Sequence, residues 1–296
     1  MKILYLCADA GIPVLGRKGA AVHVREMCGA FARAGHRVTL AAQALVKSED
    51  EERAQVRARV IQVRSSSAAT SAVQACKHFN EQLGVENSLP GELRRVLFNE
   101  ALYQDLKRRF LRQPPAFIYE RASLYSTAGV RLAARFKVPL IVELNAPLAV
   151  EQATYRATGL GDLAAQAERW LLNQADAVVV VSGQLAKHVR SLGVKGSKIV
   201  VLPNGVNPEL FCPHGMERGL QAASASAVGR RSEISTHTIH ERRSRLKPAL
   251  RNGASAPVLG FVGGLRPWHG VEVLPELLAR LNKRRPGTRL VIAGDG

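Results

Sequence analysis

Short apolar runs alternate with longer amphipathic segments along most of the chain. Residues 3–8 and 38–42 are apolar, and the segment between them has helical spacing of its apolar residues (Val24, Met27, Cys28 and Phe31). Later apolar runs at 140–144 and 177–181 are again separated by helical patterns. Alternation of this kind predicts an α/β protein with a doubly wound parallel sheet.

Small residues mark the ends of several predicted helices. Gly35 and Gly193 follow helical segments and are predicted to end them in the left-handed conformation. Ser182 follows a β-branched run and is placed to cap the next helix. The pattern after residue 144 predicts one longer helix that ends near Asn173. Pro275 falls in the first turns of a helix predicted at 271–284, which it is expected to shorten or distort.

The order strand, glycine-rich loop, helix, strand occurs twice, at residues 3–42 and 258–293. We therefore predict a complete Rossmann-like N-terminal domain at 1–211 and the first βαβ unit of a second Rossmann-like domain at 257–296. Residues 212–256 are basic, rich in Ser and Ala and without aromatic residues, which predicts a disordered linker or insertion. A lone βαβ unit leaves strand edges unpaired, so we expect the chain to be C-terminally truncated.

The formal net charge is +18, from 42 Lys and Arg against 24 Asp and Glu. Nucleic acid, an anionic membrane and a phosphorylated substrate are each compatible with this excess, as is simple solvation of surface arginines. No nucleic-acid-binding motif accompanies it, so no nucleic acid partner is expected. No apolar run has the length of a membrane span, and the four cysteines lack C-x-x-C spacing. We expect a cytoplasmic protein with reduced cysteines, with peripheral contact to an anionic membrane as a further expectation.

Two loops carry candidate binding residues. The loop at 11–19 leads into a helix, and Gly19 lets an anion approach the helix N-terminus closely; the alternative is a plain β–α turn. The loop is not G-x-G-x-x-G, which disfavours a dinucleotide cofactor. The loop at 263–270 places Gly263, Gly264, Arg266 and His269 after a strand, where open α/β sheets bind ligands. Arg266 and His269 are candidates to hold a diphosphate; the alternative is a solvated Arg266 with Trp268 packing the loop.

No pair of histidines has metal-ligand spacing, and no G-x-S-x-G or Cys/His arrangement points to nucleophilic hydrolysis. We therefore expect neither a protein-bound metal nor another cofactor.

Several segments, in this order and spacing, resemble family 4 (group 1) retaining glycosyltransferases of the GT-B fold. They are Gly16-Arg-Lys-Gly-Ala-Ala-Val-His-Val-Arg-Glu26, Gly35-His-Arg-Val-Thr-Leu40, Ala175-Asp-Ala-Val-Val-Val-Val-Ser182, Val201-Leu-Pro-Asn-Gly-Val206, Phe261-Val-Gly-Gly-Leu-Arg-Pro-Trp-His-Gly270 and Val291-Ile-Ala-Gly-Asp-Gly296. The resemblance covers residues 1–213 and 257–296.

The resemblance implies two facing Rossmann-like domains, the first holding the acceptor and the second the nucleotide-sugar donor. It implies transfer of a sugar to a glycan or lipid-linked acceptor, with retention of configuration and without metal. By analogy, the setting is cell-surface polysaccharide or glycolipid synthesis.

Residue by residue, the resemblance places Gly19 and Gly263 beside the donor diphosphate. Where the family usually has an Arg and a Lys, this chain has Gly264 and His269, so Arg266 is expected to supply the lost cation. Asn145 occupies the position of a family catalytic-site His. The Glu-x7-Glu donor motif would lie beyond residue 296, so we expect little turnover from this chain. The alternative is a non-catalytic acceptor-binding or scaffold remnant of such an enzyme.

Overall fold

The computed structural model describes residues 1–46, 53–156, 158–206, 257–265 and 269–294. The chain divides into two compact units, Met1–Asn204 and Gly205–Gly296. The predicted linker at 212–256 lies outside the described residues, as does Arg266.

A seven-stranded sheet, parallel throughout, forms the centre of the first unit. Its strands run in the order β3-β2-β1-β4-β5-β6-β7. Their bounds are β1 Lys2–Cys7, β2 Arg37–Ala42, β3 Arg59–Gln62, β4 Phe117–Arg121, β5 Leu140–Leu144, β6 Ala177–Val180 and β7 Ile199–Val201. The sheet confirms the predicted doubly wound α/β fold. Apolar runs such as that of β1 form central strands because both of their faces are covered by helices.

Seven α-helices flank this sheet among the described residues of the first unit. They are α1 Gly19–Arg33, α2 Ser67–Leu83, α3 Leu89–Phe110, α4 Ala128–Phe136, α5 Leu148–Tyr155, α6 Gly161–Gln174 and α7 Gly183–Ser191, and a 3-10 turn spans Gly196–Lys198. Gly35 and Gly193 have φ angles of 81° and 91°, as predicted for residues that end helices. The Ser182 hydroxyl accepts a hydrogen bond from the Leu185 amide, which confirms the predicted cap.

The helix predicted to end near Asn173 is α6, which ends at Gln174, but a second helix, α5, precedes it and was not predicted. The break contains Gly159, and the carboxylate of Glu92 in α3 holds it. Glu92 accepts hydrogen bonds from the Thr158 hydroxyl (2.6 Å) and the Gly159 amide (2.9 Å), and also from Tyr125 and Ser88. The spacing of apolar residues within 145–174 carries no information about this contact with Glu92, so it does not predict the break.

The core of the first unit lies on both faces of the sheet. Leu4 and Leu6 of β1 face one cluster, which includes Leu102 of α3, while Ile3 and Tyr5 face the other, with Val24 of α1. Cys7 and Cys28 are buried free thiols, in agreement with their prediction as reduced apolar residues. Alternate side chains of one strand therefore anchor helices on opposite faces.

The second unit contains β8 (Val258–Val262), a 3-10 turn (Val271–Val273), α8 (Leu274–Arg284) and β9 (Arg289–Ala293). The two strands are parallel. The α-helix begins three residues later than predicted, and Pro275 lies in its first turn, where a missing N–H breaks no helical hydrogen bond. Pro275 thus shortens the helix without distorting it. Throughout the described ranges, no helix is both long and apolar enough to cross a bilayer.

Candidate functional site

The strand order of the first unit reverses between β1 and β4. From β1 the chain proceeds to β2 and β3 on one side, and β4 to β7 follow on the other. Open α/β sheets bind ligands in the crevice that such a reversal leaves at the carboxyl ends of the strands. The loop after β1, the N-terminus of α1 and the ends of β4 and β5 meet at this edge, which we call the switch-point edge.

Three side chains hold the loop between β1 and α1 in place. The Asp9 carboxylate accepts from the Gly11 amide at 2.7 Å, and the Lys18 ammonium donates to the Gly11 carbonyl at 3.0 Å. Arg25, from the second turn of α1, donates to the carbonyls of Val14 and Gly16 at 2.8 and 2.7 Å. The backbone in front of the helix is therefore fixed by the helix itself.

Helix α1 begins at Gly19 with an open N-terminus. Lys18 makes no side-chain cap, and the first turn contains no acidic residue. A Cβ added at Gly19 would meet nothing within 4 Å, so packing in the described chain does not require glycine there. An uncapped N-terminus with free space before it can accept an anion, because its amides and dipole are positive.

The carboxylate of Glu143, in β5, is the centre of a polar cluster one helical turn beyond Gly19. Its Oε1 contacts His23 Nε2 at 2.6 Å, Arg121 Nη1 at 3.3 Å and Asn145 Nδ2 at 2.5 Å. Its Oε2 accepts from the Tyr119 hydroxyl at 2.8 Å. We call these five residues the Glu143 cluster, and they come from α1, β4, β5 and the loop after β5.

Burial and charge decide the protonation of this cluster. The Glu143 side chain is 1% exposed, against 24% for His23 and 12% for Arg121. Burial opposes ionisation of Glu143, but hydrogen bonds from His23, Asn145 and Tyr119 lower its pKa below the ordinary value. Burial, with the neighbouring Glu143 charge, raises the pKa of Tyr119, so its hydroxyl remains a neutral donor.

The geometry leaves His23 as the group most able to meet a ligand. Its Nε2 faces the carboxylate, and its Nδ1 has no hydrogen-bond partner within the described chain. With Nε2–H donated to Glu143, Nδ1 of a neutral ring is an acceptor for a substrate hydroxyl. The buried carboxylate thus fixes the ring orientation, as a carboxylate does in many acid–base pairs.

The structure places the predicted site residues in two groups. Gly19 and Asn145 lie at the switch-point edge and are linked through His23 and Glu143. Gly263, Gly264 and His269 belong to the second unit, where His269 Nδ1 lies 2.6 Å from the Gly264 carbonyl oxygen. The Gly263 amide donates to the Ala293 carbonyl of β9.

Sequence reasoning did not single out His23, Tyr119 or Arg121 as site residues. Two signals were available. His23 lies four residues after Gly19 and so projects from the same side of α1. Arg121 and Glu143 are charged residues at the carboxyl ends of adjacent parallel strands, paired in register. What the sequence did not contain was the contact between α1 and β5, 120 residues apart.

His, Cys, Asp and Glu side chains form no cluster of three or more suited to a metal ion anywhere in the described ranges. Arg121, Asn145 and the open helix end instead supply hydrogen-bond donors and positive charge, and His23 an imidazole. This arrangement suits an anionic or hydroxyl-rich ligand.

Comparison with known sequences identifies a family. The model of Glycosyltransferase Family 4 matches residues 17–210. A D-inositol 3-phosphate glycosyltransferase of Kribbella flavida is 26% identical over 218 residues, covering 71% of this chain and 44% of the relative. A protein of the same name from Segniliparus rotundus is 25% identical over 190 residues, covering 61% of this chain and 35% of the relative. The chain therefore spans less than half the length of these curated relatives.

Solved structures share the fold. Sucrose-phosphate synthase from Thermosynechococcus elongatus superposes with a TM-score of 0.55 at 13% identity, covering 99% of this chain and 62% of that one. Anabaena HepE, solved in complex with UDP and glucose, superposes with a TM-score of 0.51 at 16% identity, covering 100% of this chain and 61% of that one. The lipopolysaccharide outer core galactosyltransferase WaaB superposes with a TM-score of 0.52 at 11% identity, covering 100% of this chain and 61% of that one. These likenesses support the predicted GT-B fold.

Proposed function

The chain belongs to glycosyltransferase family 4, and from this premise we propose that it is part of an enzyme that transfers a sugar from a nucleotide-sugar donor to a glycan or lipid-linked acceptor. The observation that carries the proposal is the Glu143 cluster, which presents His23 beside the open N-terminus of α1. The proposal includes retention of configuration, as the sequence resemblance implies.

The switch-point edge has the groups that such a transfer needs on its acceptor side. His23 Nδ1 can accept a hydrogen bond from an acceptor hydroxyl, while Glu143 holds the ring and Arg121 lies against the same carboxylate oxygen. In this proposal Asn145 helps to orient Glu143, and the catalytic role expected for it passes to His23. The amides at the start of α1, beside Gly19, would face phosphate oxygens of the donor.

Sugar transfer from a nucleotide carrier develops negative charge on the leaving diphosphate. Preorganised N–H groups and cations aimed at that charge lower the barrier, and removal of one donor typically costs about 3 kcal/mol of transition-state stabilisation. We assign this role in the first unit to the amides at the start of α1, beside Gly19. In the second unit, taken by itself, the Gly263 amide already donates to Ala293, so Gly264, Arg266 and His269 are the candidates that the sequence resemblance leaves there. The proposal requires no metal and no other cofactor, so a chelator should leave binding and transfer unchanged.

The proposal also specifies which classes of acceptor the enzyme would use. The two curated relatives carry the name of D-inositol 3-phosphate glycosyltransferases, which makes a phosphorylated polyol one acceptor to test beside glycans and glycolipids. The excess of basic residues would favour any of these acceptors that is anionic. It also supports a peripheral position at the inner face of the cell membrane, where lipid-linked acceptors are found.

Binding is the first test, because the chain spans less than half of the curated relatives' length. Saturation-transfer NMR of the whole chain with a panel of nucleotide sugars, inositol phosphates and glycolipid headgroups should detect at least one donor and one acceptor. His23→Ala should weaken acceptor binding about tenfold, the effect of a lost hydrogen bond to a charged or polarised partner. Glu143→Leu should weaken it by a similar factor, because no side-chain oxygen then fixes the ring.

The matched control is His78→Ala, on an exposed face of α2 with 67% of its side chain accessible. It should bind like the unaltered chain. Acceptor binding without donor binding would favour the alternative of a non-catalytic acceptor-binding module. Binding of neither class, in a folded protein, contradicts the proposed function.

A further inference from the structure

A second cleft lies at the opposite end of the sheet from the switch-point edge. Its volume is about 630 Å³, and it is lined by the amino ends of β1, β2 and β3 and by the last turn of α3. Volumes of this size are typical of small-molecule sites. We call it the basic cleft, and no residue of the Glu143 cluster lines it.

Cations surround the basic cleft. Five cationic side chains line it together with the His36 imidazole: Lys2, Arg37, Arg57, Arg59 and Arg109. None of the described residues lining the cleft is an Asp or a Glu. Lys2 donates to the amide oxygen of Gln113 at 2.6 Å, and Arg109 pairs with Asp105, a residue outside the lining, at 2.8 Å.

Three of these arginines are available to a ligand. Arg37, Arg57 and Arg59 are exposed, and none of them forms an ion pair with a carboxylate in the described part of the chain. Cations held close together repel one another, and an anion between them relieves that repulsion. Guanidinium groups are also the side chains best suited to a phosphate, because they donate two parallel hydrogen bonds.

Apolar residues also contribute to the lining of the cleft. Ile3 and Val38 belong to the core on one face of the sheet, and Ile61 and the half-buried Phe110 to the core on the other. A cleft of this volume whose lining mixes cations with apolar residues fits a ligand with a carbon body and at least one phosphate group, rather than a bare inorganic ion.

We propose that the basic cleft is a second ligand site, which binds a phosphate monoester or diester separately from the switch-point edge. A soluble phosphorylated metabolite and the headgroup of an anionic phospholipid share this chemistry. The proposal does not depend on the proposed function, because it involves the other end of the sheet and other residues.

The test maps binding on the isotope-labelled whole chain by amide NMR. Two probes distinguish the sources: glycerol 3-phosphate in solution, and phosphatidylcholine vesicles with or without phosphatidylglycerol. We expect shifts at Arg37, Val38 and Thr39 with one of these probes. Shifts confined to Gly19–His23 with either probe would overturn the proposal while supporting the site of the proposed function.

The decisive variant is Arg57→Ser/Arg59→Ser, which should weaken binding of the effective probe at least about tenfold. Arg57→Lys/Arg59→Lys keeps the charge and should retain most of the binding. The control Lys187→Ser/Arg190→Ser removes the same net charge from exposed positions on α7 and should bind normally. Equal weakening by the control would show a general charge effect and overturn the proposal.

If the double Ser variant fails to fold, Arg57→Ser alone decides, since Arg57 precedes β3 and exposes its side chain. Response to glycerol 3-phosphate identifies a soluble ligand, and response to phosphatidylglycerol vesicles alone identifies a lipid headgroup. Response to neither probe overturns the proposal.

Discussion

The two copies of the strand–loop–helix–strand motif form the same elements but differ in burial. In the first copy, β1 has β2 on one side and β4 on the other, and Leu6 is fully buried. In the second copy, β8 pairs with β9, and Val262 is 86% exposed. The comparison teaches that a local pattern suffices to place strands and helices, whereas a core requires neighbouring strands and a helix layer on each face.

The largest expected effect tests this difference directly. Leu6→Ala should lower the free energy of unfolding of the whole chain by about 2–5 kcal/mol, because it leaves a cavity in a core that cannot collapse. Val262→Ala, near the end of the equivalent strand, should change it by less than about 0.5 kcal/mol. Urea unfolding followed by circular dichroism measures both. Similar losses from the two substitutions would show that burial in the second unit has been underestimated.

Buried charge is a second difference between the units. In the first unit Glu92, Glu120 and Glu143 are buried, whereas the only buried polar residue described in the second is Thr288. Burial raises the pKa of Glu120 to about 7, and a hydrogen bond from Ser126 only partly opposes the shift. Its other oxygen has no partner in the described structure.

Because the folded state raises this pKa, protonation of Glu120 stabilises the fold at low pH. The contribution is fully present below about pH 4.5 and is lost as the pH rises through about 7, a decline of about 3 kcal/mol. Urea unfolding at a series of pH values should show this slope for the unaltered chain and a flatter profile for Glu120→Gln. An unchanged slope in the variant would assign the pH dependence to another group.

The smallest expected effect concerns helix capping. Ser182 caps α7 through the Leu185 amide at 3.2 Å, while α8 in the second unit has no side-chain cap. Ser182→Ala should lower the free energy of unfolding by about 1 kcal/mol, and Ser182→Thr should recover most of the loss. Glu272→Ala, before α8, is the control and should leave the free energy of unfolding unchanged. If Ser182→Ala leaves the free energy of unfolding unchanged, water replaces the hydrogen bond that the Ser182 hydroxyl accepts from Leu185.

The sequence was most informative where structure depends on neighbours along the chain. The bounds of β5 and β8, the glycine stops and the Ser182 cap follow from apolar runs and single residues, and all were predicted. Helix α5 was not predicted as a separate helix, because Glu92 decides the break between α5 and α6 from more than 60 residues away.

The candidate site was predicted less completely than the fold. Glycine at the start of α1 and a polar residue after β5 were identified through the family resemblance. The cluster itself needs α1, β4 and β5 to be brought together, and no local pattern in the sequence reports the contact between His23 and Glu143.

Glu92 joins three parts of the chain that evolution could otherwise alter separately. It receives its hydrogen bonds from Ser88, just before its own helix, from Tyr125 and from the break at 158–159, and these donors lower its pKa to about 2 although burial opposes ionisation. Loss of any donor changes what the others contribute, so substitutions at 92, 125 and 158 should be non-additive. Related proteins should therefore keep these positions as a set or replace them together.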